Sequence, residues 1–197
     1  MSSYGPPPRR IVTSNLSLPH DIAKGPNAEP EVAVIEEEVP RVPLMDGLAA
    51  KWPVFTHMRV PTDANVPWEP IVPGPAPVSH QGANVQFLDL APGARVPLHR
   101  TTQTDYMIFL SGEVILGVPA EAYDPEKDKT PKIREILCRP GDIVVQRGTL
   151  HSWENPSKTE WARYIGVGLR AEPVEVSITG EDSTERRILP DAWHAET

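Results

Sequence analysis

The chain has 197 residues, 39% of them apolar, and a net charge of −8. That length allows one domain with extensions or two small ones, and the charge speaks against a nucleic-acid partner, which needs a basic face to neutralise phosphates. Cys138 is the only cysteine, so no intrachain disulfide can form; no apolar run reaches the length of a membrane span, and the start MSSYGPPPRRIVTS lacks the apolar core of a secretory signal, so a cytoplasmic protein is expected.

Arg9–Thr13 is predicted as a short strand and residues 14–30 as loop. Glu31–Glu38 alternates weakly and ends in an acidic run, which reads as a solvated edge. Most of the 24 prolines crowd into residues 6–77. Residues 40–80 hold many of them, with Trp52, Phe55 and Trp68 between. Proline cannot donate to a strand ladder, so this stretch is predicted to form no central strand. Its aromatics are expected to anchor an arm on a packed body or on a second subunit.

From Asn84 the pattern changes. Val85–Leu90 is predicted as a strand, Ala91-Pro92-Gly93 as a turn, and Tyr106–Leu110 as a strongly apolar strand. Ser111-Gly112-Glu113 turns tightly and Val114–Val118 pairs back as a hairpin. Residues 119–132 form a charged loop. Ile133–Cys138, Ile143–Gln146, His151–Trp153 and Trp161–Leu169 follow as strands. Short strands with turn signals about every ten residues predict an all-β sandwich or barrel. The tail from 171 is polar, with one helical turn expected over Ser183–Leu189. The expected organisation is a Pro-rich arm over 1–80, a barrel over 81–172 and a tail over 173–197.

The chemistry concentrates in HRTTQTDY, residues 99–106. An extended chain points alternate side chains one way, so His99, Thr101, Gln103 and Asp105 share a face. His151 and Trp153 share another. Two histidines and a carboxylate from two strands, turned into one barrel, could bind a divalent metal facially and leave positions open for substrate. No phosphate loop, serine elbow or Cys-x-x-Cys pair competes with this constellation.

Two motifs resemble the cupins, small double-stranded β-helix (jelly-roll) barrels. The first family motif is glycine, five residues, His-x-His, three or four residues, glutamate, six residues, glycine. Here Gly93, His99-Arg100-Thr101, Asp105 and Gly112 keep that spacing. Thr101 stands in place of the second histidine and Asp105 in place of glutamate. The second motif appears as Gly141, Gln146-Arg147-Gly148, His151 and Asn155, one residue short and with Gln146 in place of proline. HRTTQTDY, LSGEV and GDIVVQRGTLHSWEN together resemble a subgroup of small bacterial and fungal cupins, some of them in natural-product pathways.

The resemblance implies a cupin barrel with His99, Asp105 and His151 as catalytic residues, as ligands of a divalent metal (Fe, Zn or Mn), or as both; an enzyme without cofactor is the other expectation. A hydroxyl is a poor ligand beside imidazole, so Thr101 weakens a metal site. Thr101 and Gln103 are candidates for substrate binding. Met107, Phe109 and Trp153 read as barrel core or as the apolar wall of a pocket, with Tyr106 opposite. Arg147 reads as an ion-pair partner or as a clamp on a substrate carboxylate, and Gly148 as a special backbone shape. His20, His57, His80 and His194 read as surface, and Cys138 as structural.

The expected function is a small-molecule enzyme running a decarboxylation, dehydration or isomerisation of an aromatic or polyketide-like metabolite. A metal-dependent dioxygenase and a non-catalytic ligand-binding barrel are the alternatives. No nucleic-acid or membrane partner is expected. A homodimer is, with the arm covering a partner's sheet edge.

Overall fold

Strand alternation builds two sheets that share one interior. The computed structural model describes residues 5–20, 23, 27–57, 59, 62, 82–125, 130–178 and 186–194. Its strands, in chain order, are β1 (Arg9–Asn15), β2 (Val32–Glu38), β3 (Val42–Leu44), β4 (Ala49–His57), β5 (Ala83–Leu90), β6 (Arg95–Arg100), β7 (Gln103–Ser111), β8 (Val114–Pro119), β9 (Ile133–Cys138), β10 (Ile143–Arg147), β11 (His151–Glu154), β12 (Ala162–Arg170), β13 (Val174–Ser177), β14 (Arg186–Leu189) and β15 (Ala192–Trp193). No helix among these residues is long and apolar enough to cross a membrane.

One sheet has the order β10-β7-β12-β5-β4-β3 and the other β15-β6-β11-β8-β9. Successive strands from β5 to β8 switch between the two, as do those from β9 to β12. That is the winding of a jelly roll. Gly112 makes the β7–β8 turn at φ +70, where an added Cβ would lie 2.8 Å from the backbone of Trp161 and Ala162. Only glycine fits there.

One part of the interior is apolar. Phe109, Trp153 and Tyr164 meet with ring centroids 5.4–6.0 Å apart. Leu90, Val114, Leu116 and Cys138 close around them. Asn155 is fully buried beside this core and works on the backbone. Its Nδ2 donates to the carbonyls of Leu90 (3.0 Å) and Glu160 (2.8 Å). The asparagine of the second motif therefore ties β5 to the β11–β12 loop.

The reading of residues 40–80 needs correction. β4 pairs with β5 from Ala49 to His57 and is an interior strand. Pro53 is tolerated because β3 pairs only with Ala49–Lys51, and the β4–β5 ladder shifts register just after the proline. Trp52 is buried and donates to Asp89 at 2.9 Å. Arg163 holds the same carboxylate through two nitrogens, at 2.7 and 2.8 Å. The arm is also fastened: Arg10 on β1 is buried, pairs with Glu37 at 2.6 Å and donates to the Val54 carbonyl at 2.7 Å.

The helical turn expected over Ser183–Leu189 is corrected where it is described: residues 183–185 lie outside the described residues, and Arg186–Leu189 is extended and pairs with β13, where β-branched Val174 and Val176 favour a ladder. Trp68 and His80 lie outside the described residues.

Candidate active site

The second part of the interior is polar, and cross-strand register assembles it. On the six-stranded sheet, Gln146 of β10 faces Asp105 of β7. Asp105 faces Gly168 of β12, Gly168 faces Asn84 of β5, and Asn84 faces Thr56 of β4. Paired residues share a face, so these form one row. Gln146, Asp105, Asn84 and Thr56 are all buried. On the five-stranded sheet, Trp193 of β15 faces His99 of β6, which faces His151 of β11.

The His99 and His151 rings lie 4.2 Å apart, centroid to centroid. Trp193 covers the other side of His99 at 5.0 Å. The loop after β6 links this row to the first: Thr101 Oγ1 donates to Asp105 Oδ2 at 3.5 Å, and the Gln103 amide donates to Oδ1. Gly148, at φ +64, positions the turn before β11. A Cβ there would collide with Val174.

Both imidazoles are oriented by the main chain. Nδ1 of His99 donates to the Pro97 carbonyl at 2.8 Å, and Nδ1 of His151 to that of Thr149 at 2.9 Å. A carbonyl only accepts, so each ring carries its proton on Nδ1 and keeps an acceptor lone pair on Nε2. Burial lowers the pKa of His99 despite that bond. Burial, then the neighbouring His99, pushes His151 down to about 4. Asp105 moves the other way. Burial raises it to about 6, against the opposing hydrogen bonds from Gln103 and Thr101. The usual order is inverted: the carboxyl holds its proton to higher pH than the imidazole.

No protein-family model matches the chain. A segment of 96 residues is 38% identical to oryzines biosynthesis cluster protein J of Aspergillus oryzae, covering 49% of this chain and 47% of that one. A segment of 95 residues is 37% identical to phomopsin biosynthesis cluster protein D of Diaporthe leptostromiformis, covering 48% and 44%. Another, of 74 residues, is 39% identical to the cupin-domain-containing oxidoreductase fogC of Aspergillus ruber, covering 38% and 30%. The chain is similar to cupin-domain proteins. It matches less than half the length of each of these relatives. Among solved structures, it superposes loosely on the polyketide cyclase RemF of Streptomyces resistomycificus, with TM-score 0.43 and 14% identity over 69% of this chain and 77% of that one.

The resemblance to cupins raises the question of a divalent metal, and the donor set can be tested against one. His99 and His151 have the chemistry of ligands, neutral with Nδ1 held by a carbonyl and Nε2 free to donate. A third donor does not join them. The Asp105 carboxylate is engaged by Gln103 and Thr101, and among the described residues no group of three or more His, Cys, Asp or Glu is placed to share an ion. The residues present do not fit a three-ligand metal centre.

The remaining predicted residues divide. Thr101 and Gln103 adjoin Asp105. Met107 is half-buried at the edge of the core. Phe109 and Trp153 pack in the core itself, although Trp153 also touches His151 edge-on at 5.5 Å. Arg147 is exposed, on the face opposite Gln146. Of the histidines read as surface, His57 packs against Phe55 with ring centroids 4.7 Å apart. Four residues of the polar interior escaped the sequence reading: Thr56, Asn84, Gln146 and Trp193. Trp193 sits in a polar tail with no periodicity to flag it. Gln146 carried a signal: alternation along β10 turns it inward with Val144, a polar residue where the strand needs an apolar one.

Proposed function

We propose that this protein is a small-molecule enzyme of natural-product metabolism that moves a proton in the polar part of its barrel. The observation that carries the proposal is the pairing of His99 with His151 on one sheet of a barrel whose other sheet buries Asp105, its carboxyl raised by burial to about 6. The biosynthesis-cluster names of two relatives support the metabolic setting.

In this reading the Nε2 lone pairs of His99 and His151 accept hydrogen bonds from substrate hydroxyls and fix its orientation. Neither ring can donate from Nε2 while Nδ1 holds the proton. Above about pH 6 Asp105 is ionised in a site that disfavours its charge, which makes it a stronger base than an ordinary carboxylate. It takes a proton from a substrate C–H, and the electron pair left behind expels hydroxide, which leaves as water with the Asp105 proton, or shifts a double bond before the proton returns; taken instead from a substrate carboxyl, the proton returns to the carbanion that loss of carbon dioxide leaves. A positioned base contributes a factor of about 10²–10⁴. The substrate class is an aromatic or polyketide-like metabolite bearing hydroxyls.

A second reading is metal-dependent oxidation. It is favoured by the oxidoreductase names of four relatives. One experiment separates the two. The metabolite that accumulates when the gene is deleted is incubated with purified protein in D₂O. Deuterium incorporation or loss of water or carbon dioxide, abolished in Asp105→Asn, supports the proton-transfer reading. Oxygen uptake that requires added Fe(II) supports the second. Binding without turnover, unchanged in His151→Ala, leaves a ligand-binding barrel.

We further propose that two copies associate, the β1–β2 ribbon of one against the β10 edge of the other. Ile11, Val34, Ile143 and Val145 are exposed on these elements. A monomeric mass in solution would refute the association.

A further inference from the structure

Gln146 is 3% exposed, yet neither Nε2 nor Oε1 has a hydrogen-bond partner among the described residues. A buried amide without partners has given up its bonds to water and received nothing in return. A leucine or methionine would fill a similar volume without that loss. The side chain also stands in a particular place. Its register partner is Asp105, and the next residue in the row is Gly168, which adds no side chain beside that carboxyl. The nearest inward residue on its own strand is Val144, which offers no hydrogen bond.

We propose that Gln146 recognises the metabolite, through a neutral group that carries an N–H donor and a carbonyl acceptor side by side and unable to bond each other, as in a lactam or a 2-pyridone. The N–H donates to Oε1 and the carbonyl accepts from Nε2–H, so one amide is satisfied at both ends. An ionised carboxylate fits poorly. It cannot donate to Oε1, and it would lie beside Asp105. This inference rests on the reading of the polar interior as the enzyme's site, and it adds the substrate class.

The probe is 2-pyridone, with N-methyl-2-pyridone as the control that lacks the donor. Binding is followed by NMR chemical-shift perturbation, and stability by thermal melting, for the wild type and for Gln146→Leu. The wild type is expected to bind 2-pyridone at least tenfold tighter than the control. Gln146→Leu is expected to abolish that preference while melting at the same temperature or a few degrees higher. A wild type without the preference, a Leu variant that keeps it, or a Leu variant melting several degrees lower overturns the proposal; the last would mark a structural role. Failure of the proton-transfer reading looks different. Asp105→Asn then leaves turnover unchanged while Gln146→Leu still erases the preference.

Discussion

Nε2 of His99 and Nε2 of His151 are both acceptors, because each ring spends its Nδ1 proton on a carbonyl two residues back, Pro97 for one and Thr149 for the other. The same bond, made twice, fixes two rings 4.2 Å apart on neighbouring strands. Protonating either ring places a cation in a buried site against its twin. The acid side of the pH range therefore bears on stability.

His151 has a folded-state pKa of about 4, below the ordinary histidine value near 6.5. Its contribution is fully present above 6.5 and is lost as pH falls toward 4, because the unfolded chain takes up the proton first. The loss amounts to about 3 kcal/mol. Urea unfolding between pH 7 and 4 measures it. His151→Gln is expected to flatten that part of the curve.

Asp105 acts with the opposite sign. Its pKa is raised to about 6, so its contribution is present below the ordinary aspartate value and is lost as pH rises through 6. Asp105→Asn is therefore expected to be more stable than the wild type at pH 7.5, by about 3 kcal/mol, with the advantage gone at pH 4. The same ionisation governs the proposed reaction. The rate should rise with pH to a plateau above about 6, and a profile falling through 6 would assign Asp105 the role of acid instead.

Thr101 lies in the turn between β6, which carries His99, and β7, which carries Asp105, and its hydroxyl donates to Asp105. Thr101→His supplies the third nitrogen donor that the described residues lack. Titration of Zn(II) into metal-free protein should then show affinity at least about a hundredfold above the wild type, as a tighter site follows from adding an imidazole ligand. Equal affinities would mean that position 101 does not reach the imidazoles.

Trp193 shields His99 from water on one side. Its removal in Trp193→Ala should raise the His99 pKa toward 6.5, since burial is the main cause lowering it. NMR titration of the His99 ring protons reads this directly. His151, which is flanked by Trp153 rather than Trp193, should move less.

The barrel was legible because its strands are short, alternating and separated by Gly and Pro turns. The strands around Val85–Leu90, Tyr106–Leu110 and Trp161–Leu169 carry that pattern without interruption. The expectation that His99, Thr101, Gln103 and Asp105 line one face of one strand is corrected: β6 ends at Arg100, and β7 begins at Gln103 in the other sheet. β4 was hidden because Pro53 argues against an interior strand, and only the short reach of β3 makes it tolerable. What alternation could not supply was this break. His99 and Asp105 come from different sheets, and Asp105 turns to Gln103 and Thr101. Trp193 was invisible for another reason: β15 is two residues long and gets its position from pairing with β6, through Thr102 N–H to Asp191 at 2.7 Å and His194 N–H to the Leu98 carbonyl at 2.8 Å.

That pairing changes where the chain can safely be cut. A fragment trimmed to residues 81–172 would retain both imidazoles and the carboxyl, and so look complete to anyone choosing a minimal unit for expression. It would lack the strand that carries the Trp193 indole and the one that carries Thr56. Solvent would reach His99 from a side that the whole chain keeps covered, and titrations on such a fragment would describe a different site.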